Sequence, residues 1–241
     1  MKPFITVSLF CLAAGISKTH AGPVHPPKEQ TVISRDSITR DGYTLIFVNQ
    51  DADFAQAGAA VKQRMIETFF QVYPELAKAY NPATLKKVVF DVDPAYDGVA
   101  ATTNGVVRYN PKWMLRTPTD IDVVTHEVMH IVQDYRRSIG PGWLTEGIAD
   151  YVRYQFGVDN PGARWSLPDY NADQHYTNSY RITARFLAWL EANRKAGIVK
   201  TLDESLRAHT YTAAIWQQQT GKTLDELWAA YTADPVFTVK K

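Results

Sequence analysis

The rhythm of apolar and polar positions changes once along the chain, and the change divides it. In the first part, short apolar runs alternate with turns. Residues 43–48 (YTLIFV) and 85–92 (LKKVVFDV) read as strands, rich in β-branched and aromatic side chains. Between them Ala57, Val61, Met65, Phe69, Val72, Tyr73 and Leu76 recur at helical spacing, which predicts one long amphipathic helix over residues 53–80. Asn104-Gly105 is a tight-turn pair, and residues 106–109 (VVRY) form a short strand after it. From residue 117 the pattern is helical. Pro118, Asp120 and Asp122 mark a helix start, and that helix is expected to reach about Arg137, where Gly140, Pro141 and Gly142 stop it. Residues 143–156 read as the next helix and residues 178–196 as a strong one, with a loop at 158–174 between them. Shorter helices complete the chain. Strands mixed with a helix, followed by helices alone, give an α+β order. The sheet is expected in residues 41–116 and the helical part in 117–241.

The first 21 residues differ in character. Lys2 gives a basic start, residues 4–16 are apolar, and Thr19-His20-Ala21 resembles a small-residue cleavage site. That is the pattern of an export signal. The apolar run is too short to span a bilayer, so no membrane anchor is expected after cleavage. A Pro-rich, polar lead follows over residues 22–40, and residues 41–241 are read as a single domain. The only cysteine, Cys11, falls in the signal, so the mature chain can form no disulfide and must be held by its core or by a metal. Twenty-six basic against 25 acidic residues give a formal charge of +1, and cleavage after Ala21 makes it −1. That balance carries no electrostatic footprint for nucleic acid. The expected location is extracellular or periplasmic, and the expected state is a monomer.

The chemistry concentrates in His126-Glu127-Val128-Met129-His130. On a helix, positions i and i+4 share a face, so both imidazoles can reach one metal ion while Glu127 stands beside them as a base. Val123, Val124, Val128, Met129, Ile131 and Val132 mark the helix as buried, and buried polar groups need a strong partner. A catalytic site of this kind takes a third protein ligand and leaves a position open. Glu146 is the candidate, because the Gly-Pro-Gly break lets the chain turn back and lay the next helix alongside. Asp150, four residues on and on the same face, is placed to accept the free ring N–H of a metal-bound histidine.

The His-Glu-x-x-His motif followed by Trp143-Leu-Thr-Glu-Gly-Ile-Ala-Asp-Tyr151 resembles gluzincin-type metallopeptidases, whose third ligand is a Glu in such a segment. The chain is more closely similar to the plant basic secretory protein family, which has bacterial members. The similarity runs through residues 98–100, 126–133 and 146–153, Tyr180 with residues 183–187, and residues 220–228 with Tyr231. The near-neutral charge departs from the family's "basic" label. The resemblance implies a zincin-like fold with a twisted mixed sheet, an active-site helix and a mostly helical C-terminal part. It implies one zinc ion per chain, held by His126, His130 and Glu146, with a polypeptide as substrate. It also implies an edge strand that binds extended peptide. Val106, Val107, Arg108 and Tyr109 are the first candidate for that strand, and residues 99–102 the second. Tyr180 matches the family's tyrosine and is the first candidate to steady the oxyanion. Tyr176 and His175 are the others.

The expected activity is therefore zinc-dependent hydrolysis of peptide bonds, internal rather than terminal, with Glu127 as general base. Two rivals remain at this level. One is a catalytically silent zincin-fold module that grips a peptide or glycan. The other is a metal hydrolase acting on glycopeptides or cell-wall peptides.

Overall fold

A computed structural model describes residues 31–136 and 140–238. The predicted export signal and residues 22–30 of the predicted lead lie outside the described residues. Five strands make one mixed sheet: β1 (Ser34–Arg40), β2 (Tyr43–Asn49), β3 (Lys87–Val92), β4 (Ala100–Thr103) and β5 (Val106–Tyr109). Their spatial order is β1-β2-β3-β5-β4. The outer pairs β1–β2 and β4–β5 are antiparallel, while β2–β3 and β3–β5 are parallel. The parallel step from β2 to β3 is made by two helices, α1 (Ala52–Ala57) and α2 (Ala59–Ala79).

Tyr43, Leu45 and Phe47 on β2, Val88, Phe90 and Val92 on β3, and Val107 and Tyr109 on β5 are all buried. They occupy alternate positions, so they share one face of the sheet. Helix α2 covers that face through Phe69, which meets Phe90 edge-on at 5.5 Å, and Tyr73, which meets Tyr43 at 5.4 Å. Helix α3 (Pro111–Arg116) leads to α4 (Val123–Gln133), then to α5 (Gly142–Phe156) and α6 (Tyr180–Asn193). Three shorter helices follow: α7 (Ile198–Arg207), α8 (Ala214–Thr220) and α9 (Leu224–Ala233). Phe186 and Trp189 on α6 and Tyr231 on α9 close the second half of the core.

The α+β order holds, with four corrections. The sheet begins at Ser34, inside the stretch read as lead. Its strand SRDSITR carries one apolar residue, Ile38, so it shows no alternation. The β1–β2 connection is a two-residue turn with Asp41 at φ 48° and Gly42 at φ 80°, a backbone these residues tolerate. The helix predicted over 53–80 is two helices. The Gly58 N–H closes α1 on the Phe54 carbonyl at 2.8 Å, and a Cβ at Gly58 would collide with Phe54. The helix carrying His126 starts at Val123 rather than near Pro118, and Asp134 ends it in the left-handed region at φ 43°. The fourth correction concerns the peptide-binding edge. The strand of Val106, Val107, Arg108 and Tyr109 lies between β3 and β4, with its ladder groups paired on both sides, so it is not an edge. The edge on that side is β4, which includes most of the second candidate run.

Among the described residues, no helix is long and apolar enough to cross a membrane.

Candidate metal centre

Helix α4 is buried at 10 of its 11 positions, because α2, α5 and β4 all pack against it. Its start is anchored by Asp122, which is fully buried. Its Oδ1 accepts from Thr125 Oγ1 at 2.8 Å and from the Val158 N–H at 2.7 Å, and its Oδ2 accepts from the Asp159 N–H at 2.6 Å. Helix α5 approaches α6 closely because residue 147 is glycine: a Cβ there would collide with Thr183 of α6. The residue just before it, Glu146, faces α4.

His126, His130 and Glu146 come together as the sequence predicts. The two Nε2 atoms are 3.2 Å apart, and Glu146 Oε2 lies 3.3 Å from His126 Nε2 and 3.5 Å from His130 Nε2. The outer ring nitrogens are both occupied. His126 Nδ1 is 2.7 Å from Asp150 Oδ1, so Asp150 stands where the sequence places it. His130 Nδ1 is 2.7 Å from Gln133 Oε1, and Gln133 Nε2 donates to the Thr145 carbonyl at 3.0 Å. That second bond fixes the amide with its oxygen toward His130, so His130 donates from Nδ1. Asp150 can only accept from His126 Nδ1. Each imidazole therefore turns an Nε2 lone pair toward the other and toward a carboxylate oxygen. Three electron-rich atoms in contact repel unless a positive charge lies among them. These three groups could hold a metal ion.

The same conflict appears in the titration of the groups. Burial lowers the His126 pKa, but its bonds to Asp150 and Glu146 outweigh this and push it up to about 10. Burial raises the Glu146 carboxyl, but the two imidazoles hold it well below the usual carboxylate range. Both shifts favour a positive charge among the three groups.

Glu127 is buried beside the pair, and the Thr102 hydroxyl of β4 lies 2.7 Å from its Oε2 and 3.0 Å from its main-chain oxygen. His126, Glu127, His130, Glu146 and Asp150 open into one cleft of about 1360 Å³, together with Gln133, Tyr180 and residues of β4. The Tyr180 ring lies 6.1 Å from the His126 ring at an angle of 22°. The negative charge of Glu146, then partial burial, raises its phenol pKa, so the hydroxyl keeps its proton. Its backbone is in the left-handed region at φ 49°, after Ser179 at φ 67°, an unusual conformation for so large a side chain.

Tyr176 and His175 are turned elsewhere. The Tyr176 hydroxyl donates to Asp225 at 2.7 Å, and the His175 ring packs on Tyr176 and Trp228. Arg153 pairs with Asp120 at 2.6 Å. Two further residues of the site escaped the sequence reading. Gln133 lies at i+3 from His130, so helical spacing alone could have flagged it. Thr102 gives no such signal, because its meeting with Glu127 joins positions 25 apart on different elements.

A family model described as BSP, a peptidase of plants and bacteria, matches residues 34–231. The chain belongs to that family. The match runs from β1 into α9 and includes every residue of the cluster, so the BSP resemblance carried by the short motifs extends over the whole folded part. Among curated proteins, none matches the chain. As a member of a peptidase family, the chain has a polypeptide as its class of substrate.

Proposed function

We propose that the chain is an exported, zinc-dependent endopeptidase of zincin type. The observation that carries this reading is the spacing of the three ligand atoms. A tetrahedral zinc with arms of about 2.0–2.1 Å needs its ligand atoms about 3.3–3.4 Å apart. The separations of 3.2, 3.3 and 3.5 Å match that triangle. Two nitrogens and one carboxylate oxygen, with each ring oriented from behind, suit zinc in type as well as in distance. Export is supported by the N-terminal pattern alone.

A zinc ion held by His126, His130 and Glu146 would acidify a water molecule and polarise a carbonyl oxygen. Glu127 takes a proton from the attacking water and passes it to the leaving amine, with Thr102 fixing the direction of its carboxylate. Tyr180 donates its phenolic hydrogen to the oxygen that gains charge. The outer edge of β4 accepts the substrate main chain as an added strand, which sets the scissile bond across the cluster. Asp150 and Gln133 hold the imidazoles in the tautomers that present Nε2.

The test is direct. The purified mature protein is expected to contain one zinc per chain and to cleave an unfolded protein substrate. Chelation should abolish cleavage and added zinc should restore it. Metal without cleavage would turn the reading toward a binding module, and no metal would remove it. Tyr180→Phe is expected to lower kcat by about 10² with KM and zinc content little changed. Unchanged kcat would assign the oxyanion to another group.

A further inference from the structure

The cleft holds a second cluster of charged and aromatic groups that hydrolysis as described does not use. Arg153 is buried, and its Nη2 donates to Asp120 Oδ1 at 2.6 Å. The same guanidinium lies 4.5 Å over the Trp165 ring. The other oxygen of Asp120 accepts from Trp113 Nε1 at 3.4 Å, and the Arg116 guanidinium lies 5.1 Å over the Trp113 ring. The groups form a ladder, Arg116–Trp113–Asp120–Arg153–Trp165, along one end of the cleft, and Arg164 lines it next to Trp165.

The charges of this ladder do not balance. Asp120 neutralises Arg153. Arg116 and Arg164 are exposed, and among the described residues neither has a carboxylate within ion-pair distance. Each indole already has a guanidinium over its ring, so the groups left unsatisfied are cationic donors rather than bare aromatic faces. The surrounding loop is held in place. Asp122 binds the Val158 and Asp159 N–H groups, and Arg64 binds the Asp159 side chain at 2.8 Å. A site fixed in advance loses little entropy when it closes on a ligand.

Position sets the register. Arg153 follows Glu146 by seven residues on α5, which is about 10 Å along the axis, and its guanidinium lies on Trp165, the neighbour of Arg164. An extended peptide covers about 3.3 Å per residue. We propose that Arg164, beside the Arg153–Trp165 pair, binds a carboxylate of the substrate two or three residues from the scissile bond, so that the enzyme selects for an acidic group there. The inference rests on the peptidase reading. The carboxylate comes either from an Asp or Glu side chain or from the free C-terminus of a short peptide.

One peptide series tests it. Peptides of otherwise fixed sequence carry Glu, Gln or Lys at each position from three before to three after the cleaved bond, with free or amidated C-termini. At one position two or three residues from the bond, Glu should exceed Gln by about tenfold in kcat/KM, and Lys should be poorest. That preference should shrink between 0.05 and 0.5 M salt as screening grows. In the Arg164→Gln variant the Glu-to-Gln ratio should fall to about one, and in Arg116→Gln it should stay near that of the wild type. The ratio is internal to each protein, so partial misfolding cancels. If the preference instead follows the free C-terminus and disappears on amidation, the terminal carboxylate is the ligand. Equal rates for Glu, Gln and Lys, or a ratio that survives in Arg164→Gln, would overturn the proposal. Binding of the same peptides to Glu127→Gln, read by fluorescence anisotropy, separates this from the peptidase reading. Selective binding without cleavage by wild type faults the reading of the chemistry and keeps the subsite. Cleavage without selectivity does the reverse.

Discussion

Glu127→Gln is expected to keep its zinc and its fold and to lose at least about 10³-fold in kcat, at the upper part of the range for removing a general base. The substitution keeps the shape of the side chain and its contact with Thr102, whose hydroxyl can donate to an amide oxygen as it does to the carboxylate. What it removes is the ability to accept a proton. Zinc content, thermal unfolding and kcat measured on one preparation separate the effects. Retained zinc and an unchanged melting curve with lost turnover assign the base to Glu127. Full residual turnover would pass that role to another group, and lost zinc would mean that Glu127 supports the cluster rather than the reaction.

Glu146→Ala has the second large effect, on metal affinity. It removes one of three ligands and leaves two Nε2 lone pairs 3.2 Å apart with no carboxylate to share the ion. Zinc affinity should fall by about 10³-fold, beyond the 10–100-fold expected for a supporting group such as Asp150 in Asp150→Asn. Competition against a zinc-binding dye reads both variants. Unchanged affinity in Glu146→Ala would move the third ligand elsewhere. The wild-type titration should also depend on pH in a stated direction. The proton and the ion compete for His126 Nε2, and in the metal-free protein that proton is lost only near pH 10. Zinc affinity should therefore rise with pH through the neutral range, by up to about tenfold per unit, and zinc uptake should release protons to the buffer. An affinity that is flat with pH would show that His126 is neutral before the ion arrives.

The groups of the cluster that could be read from sequence are those joined by helical geometry. His126 and His130 share a face by spacing, Glu146 and Asp150 share another, and the Gly-Pro-Gly break explains how the two faces meet. The same local rule reaches Gln133 once its i+3 relation to His130 is used. The groups that could not be read depend on the order of strands. Whether residues 100–103 or 106–109 form the edge is decided by which of them pairs with β3, and the local pattern VVRY suits either place. Thr102 became part of the site only because β4 is outermost beside α4. The Asp120–Arg153 pair joins residues 33 apart, and the sequence offers several acids for that arginine. β1 was hidden for a different reason. A strand with little to bury shows no apolar alternation, and only its turn, Asp41-Gly42, marks it.

The two borders of the sheet are guarded in different ways. An unpaired strand edge invites any other edge, and proteins commonly blunt it with charge or keep it short. β1 follows the first course, with Arg35, Asp36 and Arg40 along seven residues. Lys62 grips Asp36 at 2.5 Å and Glu67 grips Arg40 at 2.7 Å, so the charges are pinned by the helix above. β4 follows the second, with four uncharged residues, Ala-Ala-Thr-Thr. Stacking copies into a fibril takes a longer and flatter template than that. One border thus repels unwanted partners, while the other, on the function proposed above, would accept a guest only a few residues long, beside His126, His130 and Glu146.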